Sequence, residues 1–286
     1  MYGDWIIAKG TEIGLRHIEN GSNCQDSHGL FYNQGENYGI AIVSDGAGSA
    51  LNSELGSKFL VEKGLVLINE FINESSVAEI LKSDPVTLND SFIKCFKKLY
   101  EELNVYSGLH SLLVKSLAST VIVVIFSHDG LVCSHIGDGR AGYQDHHGEW
   151  FSVLDPFKGQ EENQTVFITS DIWGTPENFV RTQIVNQPIQ SFAVLSDGCE
   201  GACFELNRFN HELLVYERMN NPYPRFFNPN IQVLRTLFDE GKSNSDIDAL
   251  WSLFLKSGNE KLRDEYDDKT LILGTLVIQA ADGQEL

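Results

Sequence analysis

The sequence predicts an α+β fold in which antiparallel sheets carry helices on their outer faces. Two helical segments follow the first apolar strand, and a run of short apolar strands then fills the middle of the chain. A second helical stretch comes next, followed by one last apolar strand. Strands and helices that occur in separate runs, rather than alternating, are typical of α+β proteins. We therefore expect a single domain over residues 1–286.

The early part of the chain is predicted to contain one buried strand and two helices. Residues Tyr38–Ser44 form a short apolar run that ends in Asp-Gly-Ala-Gly, a turn sequence. Apolar residues then recur every three or four positions from about Asn52 to Phe71, and again over Thr87–Tyr106. This spacing places them on one face of a helix, so both segments are predicted to be amphipathic helices.

Strands dominate the middle of the chain. The runs Ser119–Ser127 and Leu131–Ile136 flank His128-Asp129-Gly130, which predicts a β-hairpin. The pattern is predicted to become helical over about residues 204–261, and the last strand is predicted over Thr270–Ile278. Four shorter strands are predicted in between, at Ala141–Tyr143, Trp150–Val153, Thr165–Thr169 and Ser191–Leu195.

The charge balance argues against two classes of partner. The chain has 40 acidic and 21 basic residues, which gives a formal net charge of −19. A nucleic-acid binder needs a basic face to neutralise phosphates, and a basic membrane-surface protein has the same requirement. The longest unbroken apolar run, Val121–Phe126, is far shorter than the roughly 20 residues that cross a bilayer. We expect neither nucleic acid nor a membrane as a partner.

The N-terminus and the cysteines predict a cytoplasmic location. The first residues contain no basic segment and only a short apolar run, so they do not resemble a secretory signal. The 5 cysteines are an odd number and are scattered along the chain, which suits reduced thiols better than a disulfide framework.

Aspartates stand where the predicted strands end or begin. Asp45 and Asp197 each follow an apolar strand in the sequence Ser-Asp-Gly, Asp138 lies in Gly-Asp-Gly-Arg, and Asp267-Asp268 precedes the last strand. An ionised Asp beside a buried strand is costly unless it is paired or bound to a metal. Carboxylates that converge from separate strand ends form the oxygen-rich sites that Mg²⁺ and Mn²⁺ prefer. Asp-Gly is also the commonest turn dipeptide, so each instance alone is more often a plain turn than a ligand, as we expect for Asp129-Gly130 in the predicted hairpin.

Six sequence blocks resemble, in order, those of the PP2C-type (PPM) metal-dependent serine/threonine phosphatases. One such block is a weak signal, whereas six in the same order across nearly the whole chain identify it as a member of this family, and the stretch from His17 to Gln25 resembles a divergent bacterial-type branch. The blocks are Asn23-Cys-Gln-Asp-Ser27, Val43-Ser-Asp-Gly-Ala-Gly48, Ala118-Ser-Thr120, Ile136-Gly-Asp-Gly-Arg140, Leu195-Ser-Asp-Gly198 and Asp267-Asp-Lys-Thr270.

The resemblance implies a four-layer α-β-β-α sandwich of two antiparallel sheets flanked by helices. It also implies a variable, helical, flap-like insertion at about residues 204–261. The family's binuclear metal site lies at one edge of the sandwich. By resemblance, Asp45 would bridge both metals and the Gly46 carbonyl would bind the second metal.

Four further roles follow from the same resemblance. Asp197 and Asp267 would complete the first metal site, and Asp26 would hold water molecules on the metals. Asp138 matches a position that helps hold a third, weaker metal in bacterial members. The implied reaction is hydrolysis of phosphoserine and phosphothreonine in proteins by a hydroxide that bridges two Mg²⁺ or Mn²⁺ ions. The implied partners are a phosphorylated protein and a cognate Ser/Thr kinase system.

The chain departs from the family pattern where the phosphate would bind. Relatives with the nearest spacing carry an Arg five residues before the N-terminal Asp, where this chain has Gly21. Our hypothesis is that Arg16, His17 or both contact the phosphate, with Arg16 forming a bidentate contact. The alternative is that both are ordinary residues of a strand. A second departure is Ala47, which replaces the candidate general-acid His of some members and leaves the proton donor unassigned.

A third departure concerns the block around Arg140. Gly139 replaces the Ser of the family's G-D-S-R segment, and we expect Arg140 to pair with a nearby carboxylate. Glu200 either joins the third-metal site or is an exposed turn residue. Two alternative functions stay open. One is a regulatory pseudophosphatase of the same fold, and the other is a phosphatase of a small phosphorylated metabolite.

Overall fold

The computed structural model describes residues 4–157 and 165–277. The strands are β1 Asp4–Glu12, β2 Ser27–Asn33, β3 Tyr38–Ser44, β4 Val121–Ser127, β5 Gly130–Ile136, β6 Arg140–Asp145, β7 Trp150–Ser152, β8 Arg181–Val185, β9 Ile189–Leu195, β10 Phe204–Asn210, β11 Val215–Pro222 and β12 Lys269–Val277. The α-helices are α1 Leu15–Asn20, α2 Ser53–Glu74, α3 Val77–Ile80, α4 Pro85–Leu109, α5 Glu200–Cys203, α6 Pro224–Asp239, α7 Asn244–Ser257 and α8 Glu260–Arg263.

Ten of these strands form two five-stranded antiparallel sheets. The first sheet has the order β1-β12-β9-β6-β7, and the second has the order β2-β3-β4-β5-β8. Strands β10 and β11 form a separate two-stranded hairpin. In the first sheet, β1 pairs with β12 along its whole length, from Asp4 opposite Val277 to Glu12 opposite Lys269.

The two sheets pack face to face around a shared apolar core. Phe126 of β4 stacks on Phe192 of β9 with ring centroids 4.1 Å apart. Trp5 of β1 contacts both rings edge-on, at 5.1 and 5.4 Å. Such offset and edge-on contacts are the favoured geometries for aromatic pairs. These three rings join the inner faces of the two sheets.

Helices cover the two outer faces. Leu60 of α2 and Phe92 of α4 are fully buried against the second sheet. Phe227 of α6 and Leu255 of α7 are equally buried against the first sheet. Helix α4 starts at Pro85, where the Asp84 side chain accepts the Thr87 N–H at 3.0 Å and caps the first turn. The layers confirm the predicted α-β-β-α sandwich.

Two of the predicted elements are wrong. Residues Thr165–Thr169 form no strand; instead Ile168 lies in a loop and buries its side chain in the core beneath the helices. The apolar run therefore reflects burial and not strand pairing. The segment 204–261 begins with the β10–β11 hairpin before α6 and α7, so it is not helical throughout. The final strand is described only to Val277, and Ile278 lies outside the described residues.

The cysteines at positions 24, 95, 133, 199 and 203 carry free thiols. Within residues 4–157 and 165–277, no helix has both the length and the apolar character needed to cross a membrane.

Candidate metal centre

Three aspartates from different strand ends meet at one edge of the sandwich. Asp45 follows β3 of the second sheet, Asp197 follows β9 of the first sheet, and Asp138 lies between β5 and β6. One carboxylate oxygen from each lies within 4.8 Å of the others. The chain thus brings together carboxylates that are 59 or more residues apart in sequence, as the strand-end pattern predicted. We call Asp45, Asp138 and Asp197 the carboxylate cluster.

The loop that carries Asp45 is fixed by the Ala-Ser-Thr block before β4. The backbone N–H of Asp45 donates to Thr120 Oγ1 at 3.0 Å, and the Thr120 N–H donates to the Asp45 carbonyl at 2.8 Å. Ala47 donates to the Ala118 carbonyl at 2.9 Å. A Cβ atom on Gly46 would lie 2.6 Å from the Gln25 carbonyl, so only glycine fits between these segments. This explains why a small residue follows the aspartate.

Asp26 lies beside the carboxylate cluster and is buried. Ser196 Oγ donates to Asp26 Oδ2 at 2.7 Å, and the same hydroxyl accepts the backbone N–H of Thr270 at 3.0 Å. Ser196 directly precedes Asp197, so one serine joins the N-terminal block to the second Ser-Asp-Gly block. Burial raises the pKa of Asp197 well above its usual value, and the charges of Asp138, Asp267 and Asp26 raise it further.

Burial and mutual repulsion govern the ionisation of these carboxyl groups. Burial raises the pKa of Asp45 well above its usual value, and the neighbouring charges of Asp26 and Asp197 raise it further. Burial also raises the pKa of Asp26 to about 7, although hydrogen bonds from Ser196 and Thr270 oppose the rise. Carboxylates that disfavour each other's charge are stabilised by a cation among them. An oxygen-only donor set of this kind fits Mg²⁺ or Mn²⁺.

Arg140 is held by the carboxylate of Glu200. Its Nε and Nη2 atoms lie 2.8 and 2.7 Å from Glu200 Oε2, and its Nη1 donates to Asn220 Oδ1. Asn220 belongs to β11 and also donates to the Leu154 carbonyl at 2.6 Å. Arg140 therefore pairs with a carboxylate, as predicted, and the pair bridges the segments after Asp138 and Asp197. Glu200 is half-buried in this ion pair and is not part of the carboxylate cluster.

Arg16 and His17 lie on α1 and not on a strand. The helix ends at Asn20 and is capped by Gly21, whose φ of 65° is left-handed. Arg16 is exposed, whereas His17 is buried. His17 Nδ1 lies 2.9 Å from Asp268 Oδ1. Of the two candidate phosphate contacts, only Arg16 therefore has its side chain at the surface.

Asp268 is a residue of this region whose role the sequence did not reveal. Its carboxylate accepts the backbone N–H groups of Gly14 and Gln25 at 2.8 and 2.6 Å, in addition to the His17 bond. The adjacent pair Asp267-Asp268 was visible in sequence, but nothing there distinguished the two. In the structure, Asp267 lies near the carboxylate cluster, while Asp268 points to the N-terminal segment.

Comparison with known proteins gives a consistent result. The model of the family described as "Protein phosphatase 2C" matches residues 13–245, which is most of the chain. The chain is 26% identical over 278 residues to serine/threonine-protein phosphatase 3 of Escherichia coli strain K12, covering 94% of this chain and 97% of that protein.

Solved structures show the same fold at low sequence identity. Serine/threonine phosphatase Stp1 from Staphylococcus aureus superposes with a TM-score of 0.54 and 15% identity, covering 96% of this chain and 95% of that one. The S. agalactiae serine/threonine phosphatase superposes with a TM-score of 0.52 and 16% identity, covering 96% of this chain and 100% of that one.

Proposed function

This chain belongs to the protein phosphatase 2C family, and we propose that it hydrolyses phosphoserine and phosphothreonine in proteins at a binuclear Mg²⁺ or Mn²⁺ centre. The observation that carries the proposal is the convergence of Asp45, Asp138 and Asp197, whose carboxylate oxygens lie within 4.8 Å of one another. The E. coli relative named a serine/threonine-protein phosphatase supports this substrate class.

The proposed ligands come from four strand ends. Asp45, the carbonyl of Gly46, Asp197 and Asp267 would hold two ions, and Asp138 would contribute to a weaker third position. Beyond the effect of burial, the charges of Asp138 and Asp267 raise the pKa values of Asp45 and Asp197, which supports this assignment.

When bound, the ions would lower the pKa of a water molecule and neutralise charge on the phosphate. Phosphoryl transfer requires little covalent chemistry from a protein, so the task of the side chains is to position and to stabilise charge. Asp26, fixed by the Ser196 hydroxyl at 2.7 Å, would orient water beside the carboxylate cluster.

For the substrate phosphate we propose Arg16 as the cationic contact. Its guanidinium is exposed on α1, and Asp268 ties this helix to the segment that carries Asp26. A planar guanidinium can bind two phosphate oxygens at once. His17 is less suited because its Nδ1 already bonds to Asp268, so its role is to position α1. A phosphorylated protein and the Ser/Thr kinase that produces it complete the proposed system.

The test compares wild type with Asp45→Asn and Asp197→Asn in a phosphopeptide hydrolysis assay with Mn²⁺. We expect each variant to lose at least ~100-fold in kcat, because neutralising one ligand removes charge stabilisation at the centre. Asp129→Asn is the matched control, since Asp129 is an exposed Asp-Gly residue in the β4–β5 turn. It should retain wild-type activity.

Three results would overturn the proposal. Wild-type protein that binds Mn²⁺ but hydrolyses no phosphomonoester would be a pseudophosphatase. Hydrolysis of small phosphorylated metabolites without any phosphopeptide turnover would indicate a metabolic enzyme. Equal activity in Asp45→Asn and in the Asp129→Asn control would place the chemistry elsewhere.

A further inference from the structure

We propose that the turn between β6 and β7 is a second metal site, which binds a borderline transition ion such as Zn²⁺ through two imidazoles and one carboxylate. The turn contains Asp145, His146 and His147. One ligand atom from each of these three side chains lies within 4.8 Å of the others. Imidazole nitrogen suits Zn²⁺, Cu²⁺ and Ni²⁺, whereas oxygen-only sites suit Mg²⁺ and Mn²⁺. The two sites therefore differ in the metal that they prefer.

The carboxylate of Asp145 is held in place before any ion arrives. Its Oδ1 accepts the backbone N–H groups of His147 and Glu149, both at 2.9 Å. The Asp145 N–H donates to the Glu149 carbonyl at 3.0 Å, and the Gly148 N–H donates to the Asp145 carbonyl at 3.1 Å. Both side-chain bonds use Oδ1, which leaves Oδ2 as the ligand atom. Metal-binding carboxylates are commonly oriented by hydrogen bonds of this kind.

The two imidazoles lie side by side at the surface. The ring centroids of His146 and His147 are 3.8 Å apart, and both residues are exposed. Gln190 of β9 donates from Nε2 to the His146 carbonyl at 3.1 Å, which ties the turn to the neighbouring strand. An ion can reach both rings from solvent without any movement of the core. Three protein ligands leave at least one coordination position for water, as in open zinc sites.

This turn is well separated from the carboxylate cluster. Strand β6 starts at Arg140, two residues after Asp138, and ends at Asp145. At a rise of about 3.3 Å per residue, Asp145 lies roughly 20 Å from the end of the sandwich that holds the cluster. One ion therefore cannot contact both sites, and each site can be filled and removed independently.

The experiment titrates Zn²⁺ into the full-length protein by calorimetry, in excess Mg²⁺ that occupies the carboxylate cluster. We expect one Zn²⁺ site in wild type and at least tenfold weaker binding in the His146→Ala/His147→Ala variant. The His110→Ala/His211→Ala variant is the matched control, because it also removes two exposed histidines and should bind Zn²⁺ as wild type does. Equal Zn²⁺ affinity in the two double variants would overturn the proposal.

A spectroscopic measurement identifies the ligands directly. With Cu²⁺ as the probe, pulsed electron paramagnetic resonance detects the remote nitrogens of bound imidazoles. We expect the signature of two imidazoles in wild type and of one in His147→Ala. A spectrum that shows no imidazole, or one that is unchanged by the substitution, would refute the site. Neither measurement depends on phosphatase activity, so the outcome is independent of the proposed function.

Discussion

His17 Nδ1 and Asp268 Oδ1 lie 2.9 Å apart, and both side chains are buried. The same carboxylate also accepts the backbone N–H groups of Gly14 and Gln25. Asp268 therefore holds both ends of the segment that carries Arg16, while its neighbour Asp267 lies beside the carboxylate cluster. One adjacent pair of aspartates thus connects the proposed phosphate-binding helix to the proposed metal centre.

Asp268→Asn should mainly lower stability, whereas Asp267→Asn should mainly weaken metal binding. In Asp268→Asn an amide replaces a carboxylate that accepts three hydrogen bonds, so we expect the free energy of unfolding without metal to fall by about 3 kcal/mol. Asp267→Asn should leave the free energy of unfolding nearly unchanged but weaken Mn²⁺ binding at least ~10-fold, because the charge of a proposed metal ligand is lost. Urea unfolding and Mn²⁺ titration measure the two effects, and the reverse pattern would contradict the assignment.

Arg16→Ala should raise the KM for a phosphopeptide while the free energy of unfolding stays within about 0.5 kcal/mol of wild type, because the side chain is exposed. His17→Ala should instead lower the free energy of unfolding by about 2 kcal/mol, because it leaves Asp268 short of one donor. Arg225→Ala on α6 is the control, since it makes the same change in net charge at another exposed position. If Arg16→Ala and Arg225→Ala have the same KM, Arg16 does not bind the phosphate.

Arg140 and Glu200 should be strongly coupled in a double-mutant cycle. Arg140 is buried, with 2% of its side chain exposed, so Arg140→Met leaves Glu200 without its partner. We expect this variant to lose about 3 kcal/mol of unfolding free energy, and Arg140→Met/Glu200→Gln to lose less. Chemical denaturation of the four proteins gives the coupling energy. Additive effects of the two substitutions would show that the ion pair contributes nothing beyond its separate side chains.

His135→Leu should flatten the dependence of stability on pH. Burial, together with the Arg181 charge and against the opposing charge of Asp155, lowers the pKa of His135 to about 4. Below about pH 6.5 the unfolded chain binds a proton that the folded chain does not accept until about pH 4. The unfolding free energy therefore falls as the pH drops through this range.

Between about pH 7 and about pH 5, the unfolding free energy of His135→Leu should fall by about 2 kcal/mol less than that of wild type. Urea unfolding at the two pH values measures this difference. His110→Leu provides the control, because His110 is exposed and should leave the wild-type pH profile in place. A His135→Leu profile as steep as that of wild type would mean that other groups account for the acid sensitivity.

Local sequence patterns were sufficient for the elements that are buried on both faces. Strand β3 has the predicted bounds because its seven residues are all buried and a turn sequence follows them. The convergence of Asp45, Asp138 and Asp197 was predictable for a related reason. Each follows an apolar strand, and antiparallel strands of a sandwich bring alternate ends to the same edge.

Other elements depend on contacts that no local pattern contains. The six-residue helix α1 is too short to show a periodic apolar face, and it is held by Asp268, which is 251 residues from His17. The β10–β11 hairpin is largely exposed, so it has none of the apolar alternation that identifies a half-buried strand. The grouping of Asp145, His146 and His147 depends on the geometry of one tight turn.

The pairing of β1 with β12 has a consequence for protein synthesis. The first described strand has one neighbour in its sheet, and that neighbour ends at Val277. In a chain still bound to the ribosome, β1, including Trp5 and Ile7, therefore has no pairing partner until β12 has emerged. Asp267 lies two residues before β12, so the proposed metal centre also stays incomplete during this time. Closing so long a loop is a late and slow event in folding, so we expect catalytic competence to be acquired only after β12 has emerged from the ribosome.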